Sequence, residues 1–385
     1  MTAARVLRAS LLLAAIAAAT AGVEPSTSPP GGLSPEQTPQ FVLFTHDDAI
    51  DSDSYYAVRQ VADGVREVNG CPLGATMFVK VAGTDCDHLL ELYQSGLEVA
   101  DHSITHTSFL EMPSDQIVEE LVGARSRLAE CGLPESAVVG ARTPFLRINP
   151  EVRRILHDNG FLYDSSLRDF ANRGGSLTTD MNNREWPWDM EYGIPNCGDG
   201  GNSVQQCADG ESYPGLFEVP VWVLNALGGE YHMNYGDDGA APVYDILKAN
   251  FDAAYDGNRA PMPIFVHTPW IQDFTDDLFR FIEYAGSKPD VYFVSIRQLL
   301  AWMENPIPKD RLTPQLLGCG NEGGAGPAEA HGQYTVGGAG AGAGVAWNAA
   351  PAAAPQPSGA EVPTPAPAPG PGPAGAEQLP APGTV

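Results

Sequence analysis

Basic residues are scarce in this chain: 21 Lys and Arg stand against 48 Asp and Glu, a formal charge of −27. Phosphate binding needs a basic face, so nucleic acid is excluded as a partner. No C-x-x-C pair occurs among the six cysteines (71, 86, 131, 197, 207 and 319). That argues against a thiolate zinc site or a redox pair. No G-x-G-x-x-G follows the first strand-like run, so dinucleotide binding lacks its fingerprint. Beyond residue 21 no apolar run is long enough for a membrane helix, and no membrane partner is expected.

What is present divides the chain into four parts. Residues 1–21 carry Arg5 and Arg8, an apolar run from Leu11 to Ala19, and then Ala19-Thr20-Ala21. This is the order of a cleaved secretory signal, and it implies a secreted protein, extracellular or in a cell wall. Residues 22–39 read as a linker and 40–319 as one large domain. From 320 to 385 Gly, Ala and Pro dominate, a composition that cannot bury enough apolar surface to offset its ordering entropy. A disordered tail is expected there.

An even cysteine count in a secreted chain predicts disulfides. Cys197 with Cys207 is the favoured local bridge, and Cys71 with Cys319 could tie the end of the domain to its body. Seven acids lie from Asp199 to Asp238 with no Lys or Arg among them. They read as a solvated acidic loop, or as a rim favouring neutral or cationic glycans over anionic ones.

Strand-like and helix-like runs alternate through the domain. Strands are expected at 41–45, 75–79, 97–100, 137–141, 161–164, 216–224, 263–267 and 291–294, from buried-strand composition. Helices are expected at 54–68, 86–95, from Ser114, and at 150–158, 243–255, 275–285 and 295–304. Alternation at this length predicts a (β/α) barrel, distorted in places, with a doubly wound open sheet as the alternative.

In a barrel, chemistry sits at the C-terminal ends of strands. Four such ends carry the conspicuous polar residues: Thr45-His46-Asp47-Asp48, Asp101-His102-Ser103-Ile104-Thr105-His106, Arg142-Thr143-Pro144-Phe145 and His267-Thr268-Pro269-Trp270. His102 and His106, four apart, make a two-His, one-acid metal site with a carboxylate from the Asp pair, which leaves positions open for water or substrate. The neighbouring carboxylate can then accept a proton from water. Arg142 supplies a fixed charge to hold a carboxylate ionised and oriented. His267 is placed as a general acid for a leaving amine. Of four tryptophans (186, 188, 222 and 270), Trp270 and one of Trp186 and Trp188 are expected to face a sugar, the others to be core.

These residues resemble the polysaccharide deacetylases of carbohydrate esterase family 4, and within it the chitin deacetylase-like group of arthropods. The family's T-F-D-D appears as THDD (45–48), its H-S/T-x-x-H as HSITH (102–106) and its R-x-P-F/Y as RTPF (142–145). The stretches CPLGATMFV (71–79), FLYDSS (161–166), REWPW (184–188) and FEVPVW (217–222) fit the arthropod group as well.

The resemblance implies a distorted (β/α) barrel of the deacetylase type and hydrolysis of N-acetyl groups on N-acetylglucosamine polymers, chitin first. It implies Asp47 as general base, Asp48, His102 and His106 as ligands of a divalent metal (Zn2+, or Co2+), and Arg142 as the group orienting Asp47. The Phe145 N–H would help bind the oxyanion, His267 would be the acid, and Phe265 would line the acetyl-methyl pocket. Two departures stand out. His46 replaces the usual Phe, and the fourth motif, an Asp and a Trp, is not clearly readable; WPWD (186–189) or Asp164 stand as candidates. Other acetylated polymers (peptidoglycan, acetylxylan), or glycan binding without catalysis, are the competing readings; a monomer is expected.

Overall fold

The computed structural model describes residues 22–65, 67–169, 181–195 and 204–319. The expected leader (1–21), the tail (320–385) and Cys197 lie outside the described residues. The first strand, β1 (Gln40–Asp48), is buried along nearly its whole length, with Phe41 to Phe44 at 0–1 % exposure. A strand covered on both faces needs this unbroken apolar run. Helix α1 (Ser52–Gly64) follows, capped by the Asp51 carboxylate, which accepts from the Ser54 N–H. Then come β2 (Ala75–Val79), α2 (Cys86–Gln94), β3 (Glu98–Asp101), α3 (Ser114–Val118) and α4 (Ala124–Glu130), the last two joined by a π-turn at Glu119–Gly123.

The expected strand at 137–141 shrinks to β4 (Gly140–Ala141), preceded by a 3-10 turn at Glu135–Ala137. Gly140 is required there, since a Cβ would fall 1.8 Å from the Tyr163 ring of the neighbouring strand. After α5 (Pro150–Asp158) come β5 (Tyr163–Asp164), β6 (Arg168–Asp169) and β7 (Trp188–Asp189). The run 216–224 is not one strand but two, β8 (Phe217–Glu218) and β9 (Val221–Trp222), because Pro220 between them has no N–H to give a ladder. Helix α6 (Val243–Asp256) leads to β10 (Met262–Val266), α7 (Thr268–Gly286), β11 (Val291–Phe293) and α8 (Ile296–Glu304). The helix expected at 275–285 begins seven residues earlier, at Thr268. Pro269, near its N-terminus, fits a first turn whose N–H groups have no intrahelical acceptor.

One nine-stranded sheet runs β10-β1-β2-β3-β4-β5-β8-β7, with β11 also paired to β1. All its pairs are parallel except β7 with β8. A separate parallel pair joins β6 to β9, and β9 comes up against β10 without pairing to it. The result is a curled, distorted (β/α) barrel, as the alternation predicts.

Residues 22–39, read from sequence as a linker, are laid along the domain. The Ser26 and Val23 carbonyls accept from the N–H groups of Trp186 and Asp189, and Thr27 O accepts from Asn258 Nδ2 at 2.6 Å. Disulfides join Cys71 to Cys319 and Cys86 to Cys131. Cys207 is also disulfide-bonded. No helix among the described residues is long and apolar enough to cross a membrane.

Candidate active site

The four strand ends converge on one cavity of about 670 Å³ at the C-terminal edge of the sheet. Asp47, Asp48, His102, His106, Thr143, Phe145 and His267 all line it. Register explains the meeting. Asp47 and Asp48 pair with Phe78 and Val79 of β2, whose Val79 pairs with Asp101 of β3, and Asp101 pairs with Ala141 of β4. The residues that follow each strand therefore leave the sheet side by side.

Asp47 is held by Arg142. The guanidinium Nη1 donates to Asp47 Oδ1 at 2.7 Å and to Thr45 Oγ1 at 2.9 Å, while Nε and Nη2 donate to the carbonyl and hydroxyl of Ser165. Both members of the pair are buried. Burial alone pushes the Asp47 carboxyl up, but Arg142, followed by His102 and His267, outweighs it and holds it below the usual carboxylate range. Asp47 is thus a buried carboxylate that stays ionised.

Asp48, His102 and His106 bring one carboxylate oxygen and two imidazole nitrogens within 4.8 Å of one another. His102 Nδ1 lies 2.7 Å from the Arg142 carbonyl. A carbonyl only accepts, so Nδ1 carries the hydrogen and Nε2 presents its lone pair. Burial pushes His102 down to about 4, which keeps that lone pair free at neutral pH. The His106 Nε2 stands 3.6 Å from Asp48 Oδ1. Two neutral imidazoles and one carboxylate, with a carbonyl fixing one tautomer, are a donor set that fits a divalent transition metal.

The loop that carries the histidines is built for the task. Asp101 Oδ1 accepts from the Ser103 N–H, Ser103 Oγ accepts from the His106 N–H, and Glu120 Oε2 accepts from the N–H groups of Ile104 and Thr105. Asp48, Ser103, His106, Phe145, Leu146 and Asn234 all have positive φ, a conformation that side chains other than glycine seldom adopt. All but Ser103 line the cavity, and backbone strain of this kind tends to cluster at functional sites.

The remaining expected residues are placed as follows. His267 stands at the cavity wall as the residue that caps α7. Phe145 is 59 % exposed at the lip, with its ring edge-on to His106. Phe265 is buried under the Arg142 guanidinium, with Phe78 on the other face, and it does not line the cavity. Trp270 is buried with its indole N–H donating to the Tyr235 carbonyl, and Trp188 donates to the Gly193 carbonyl. Neither reaches the cavity. His46 bonds Thr268 Oγ1 at 2.8 Å, joining the end of β1 to the start of α7, and burial pushes it down to about 4.

Glu230, Tyr231, His232, Met233, Asn234, Asp237 and Asp238 close one side of the cavity. The sequence offers the three acids only as part of an acidic loop or rim, and sequence reasoning missed Tyr231, His232, Met233 and Asn234. Asn234 Oδ1 accepts from the His267 N–H at 3.0 Å and lies 3.1 Å from its Nδ1. An amide oxygen only accepts, so His267 carries its hydrogen on Nδ1 and turns Nε2 outward. The turn-rich run from Asn234 to Gly239 was the available signal, because Asn tolerates positive φ better than most residues.

Residues 35–163 match a family model described as polysaccharide deacetylase. Chitin deacetylase 8 of Bombyx mori is 29 % identical over 311 residues, a match covering 75 % of this chain and 77 % of that protein. Chitin deacetylase 1 of the same organism is 29 % identical over 311 residues, covering 74 % of this chain and 54 % of that protein. The chain thus spans about half the length of the second relative. A family 4 carbohydrate esterase from Streptomyces lividans, solved with acetate, aligns with a TM-score of 0.37 and 15 % identity over 66 % of this chain and 91 % of that one.

Proposed function

From the premise that the chain carries a polysaccharide deacetylase domain, we propose that it is a secreted, divalent-metal-dependent hydrolase of N-acetyl groups on N-acetylglucosamine polymers, with chitin and its oligosaccharides as substrate. The observation that carries this reading is the meeting, in one cavity, of an ionised buried carboxylate with a two-histidine, one-carboxylate donor set. Secretion is supported by the leader-like residues 1–21 and by disulfides, which belong to oxidising compartments.

Asp48, His102 and His106 would hold the metal, zinc or cobalt. A divalent ion there supplies Lewis-acid polarisation of the acyl oxygen and a lowered pKa for water. Asp47 is the general base: its charge is fixed by Arg142, and Oδ2 stands on the side of His102, 4.0 Å from Nε2. The Phe145 N–H, in a turn of strained φ, donates to the developing oxyanion. His267, its Nδ1–H held by Asn234, gives a proton from Nε2 to the departing amine. The exposed Phe145 ring offers a flat apolar face to a sugar.

The test is acetate release from chito-oligosaccharides, peptidoglycan and acetylxylan, before and after chelation and with zinc restored. Release from chito-oligosaccharides that falls on chelation and returns with zinc is the expected result. Release from peptidoglycan or acetylxylan alone would move the substrate, and binding of oligomers without release from any polymer would refute the enzyme reading.

A further inference from the structure

Thr143 is a residue that neither the base, the metal cluster nor the acid uses. It lies between Arg142 and Pro144 and lines the same cavity. Its main chain is fixed from both sides. The N–H donates to Ser166 Oγ at 2.9 Å, and Ser166 in turn donates to the buried Asp164 carboxylate at 2.5 Å. The Thr143 carbonyl accepts from the Leu146 N–H at 3.0 Å. The side chain is wholly buried, yet its hydroxyl has no hydrogen-bond partner among the described residues. A buried hydroxyl left unpaired costs stability, and a fold that clamps every other polar atom of the residue has not relieved it.

We propose that the Thr143 hydroxyl is a substrate-contacting group, the hydrogen-bond partner of the acetamido group undergoing hydrolysis. This rests on the deacetylase reading above and adds a residue to it. The chemistry matches: a hydroxyl has one donor and acceptor lone pairs, and an acetamide presents a carbonyl acceptor and an N–H donor close together. The location matches as well, since the hydroxyl belongs to the residue two before Phe145, whose N–H is assigned to the oxyanion. A hydroxyl held unsatisfied in the free protein and satisfied by substrate puts binding energy where the reacting group sits.

The experiment compares Thr143→Val and Thr143→Ser with the full-length wild type. It measures acetate release from N-acetylchitotetraose, affinity for that tetramer by calorimetry, metal content and melting temperature. Valine replaces the hydroxyl by a methyl group in nearly the same volume; serine keeps it. The expected Val variant holds its metal, melts at or above the wild type, and loses about ten- to a hundredfold in kcat/KM, while the Ser variant stays within a few fold. A hydroxyl with a structural role predicts the opposite for stability, a lowered melting temperature, and that outcome overturns the proposal. So does a Val variant of wild-type activity. If the wild type releases no acetate from any polymer, the deacetylase reading fails by itself. Tetramer affinity then decides for Thr143: weaker binding by the Val variant upholds the contact, and equal or absent binding overturns it.

Discussion

Replacing Arg142 by Met tests how the site holds a charge in its interior. Met matches the aliphatic stem of Arg and packs between Phe78 and Phe265 as the guanidinium does. Four hydrogen bonds are lost at once, two to Ser165 and one each to Thr45 and Asp47. The last matters most, because Asp47 is only 2 % exposed and keeps its charge through Arg142. Breaking a buried pair by removing one partner costs about 3–5 kcal/mol, most of it the penalty on the charge left behind. Urea denaturation of the metal-free protein should show that loss at neutral pH without a change in the slope of the transition. Removing the stranded charge should relieve it, so the Arg142→Met, Asp47→Asn double variant should be more stable than Arg142→Met alone. Acetate release should fall by a hundredfold or more in either single variant. An Arg142→Met protein within 1 kcal/mol of wild type (about one-third of the smallest expected loss), or a double variant no more stable than the single, would refute the account of Asp47 as a buried charge held by Arg142.

His267→Ala should cost acetate release from chito-oligosaccharides about a hundredfold or more, yet spare an aryl acetate, whose leaving group needs little protonation; equal losses on both would remove His267 as the acid. Asp290 accepts from Lys309, Arg259 and Tyr255, and these outweigh its burial to hold it below the usual carboxylate range. A depressed carboxylate contributes stability above its unfolded value and loses it as pH falls through the folded one. Acid unfolding followed by circular dichroism should therefore steepen below about pH 4, and Asp290→Asn should flatten that region while lowering stability at pH 7. Cys319→Ser should cost about 3–5 kcal/mol, since the bridge to Cys71 closes a loop with a separation of 248 residues; an unchanged denaturation midpoint would count against it.

Much of the fold was legible wherever the chain is locally regular. β1, β2 and β10 are apolar runs that could not be left exposed, and the polar residues at the ends of β1 and β10 fell where barrel logic places them. Where strands shorten to two residues, composition misled. Gly140–Ala141 pairs by close approach of Tyr163 to a bare glycine, a tertiary fact with no local trace. The start of α7 was missed because His267-Thr268-Pro269 reads as a turn, and only the cap geometry makes it a first helical turn. The wall from Glu230 to Asp238 is irregular backbone with no period to detect, although Asn234 sits where a strained φ and a bond to His267 coincide. Trp188 and Trp270 drew attention as aromatics, but each indole N–H finds its acceptor inside the fold. Residues 22–39 looked like a tether because main-chain bonds to Trp186 and Asp189 leave no mark in side-chain composition.

The Cys71–Cys319 bridge has a mechanical consequence. The chain continues past Cys319 for a further 66 residues, and any tension arriving from that side meets the bridge first. β11 and α8, the last regular elements, lie inside the covalent ring and not between the pulling point and the anchor. Force is shunted through sulfur to the loop before β2, so the C-terminal strand and helix cannot be peeled off in sequence. An oxidised protein stretched by its tail should rupture in one high-force event from the N-terminal side, whereas a reduced one should lengthen in smaller steps that begin at α8.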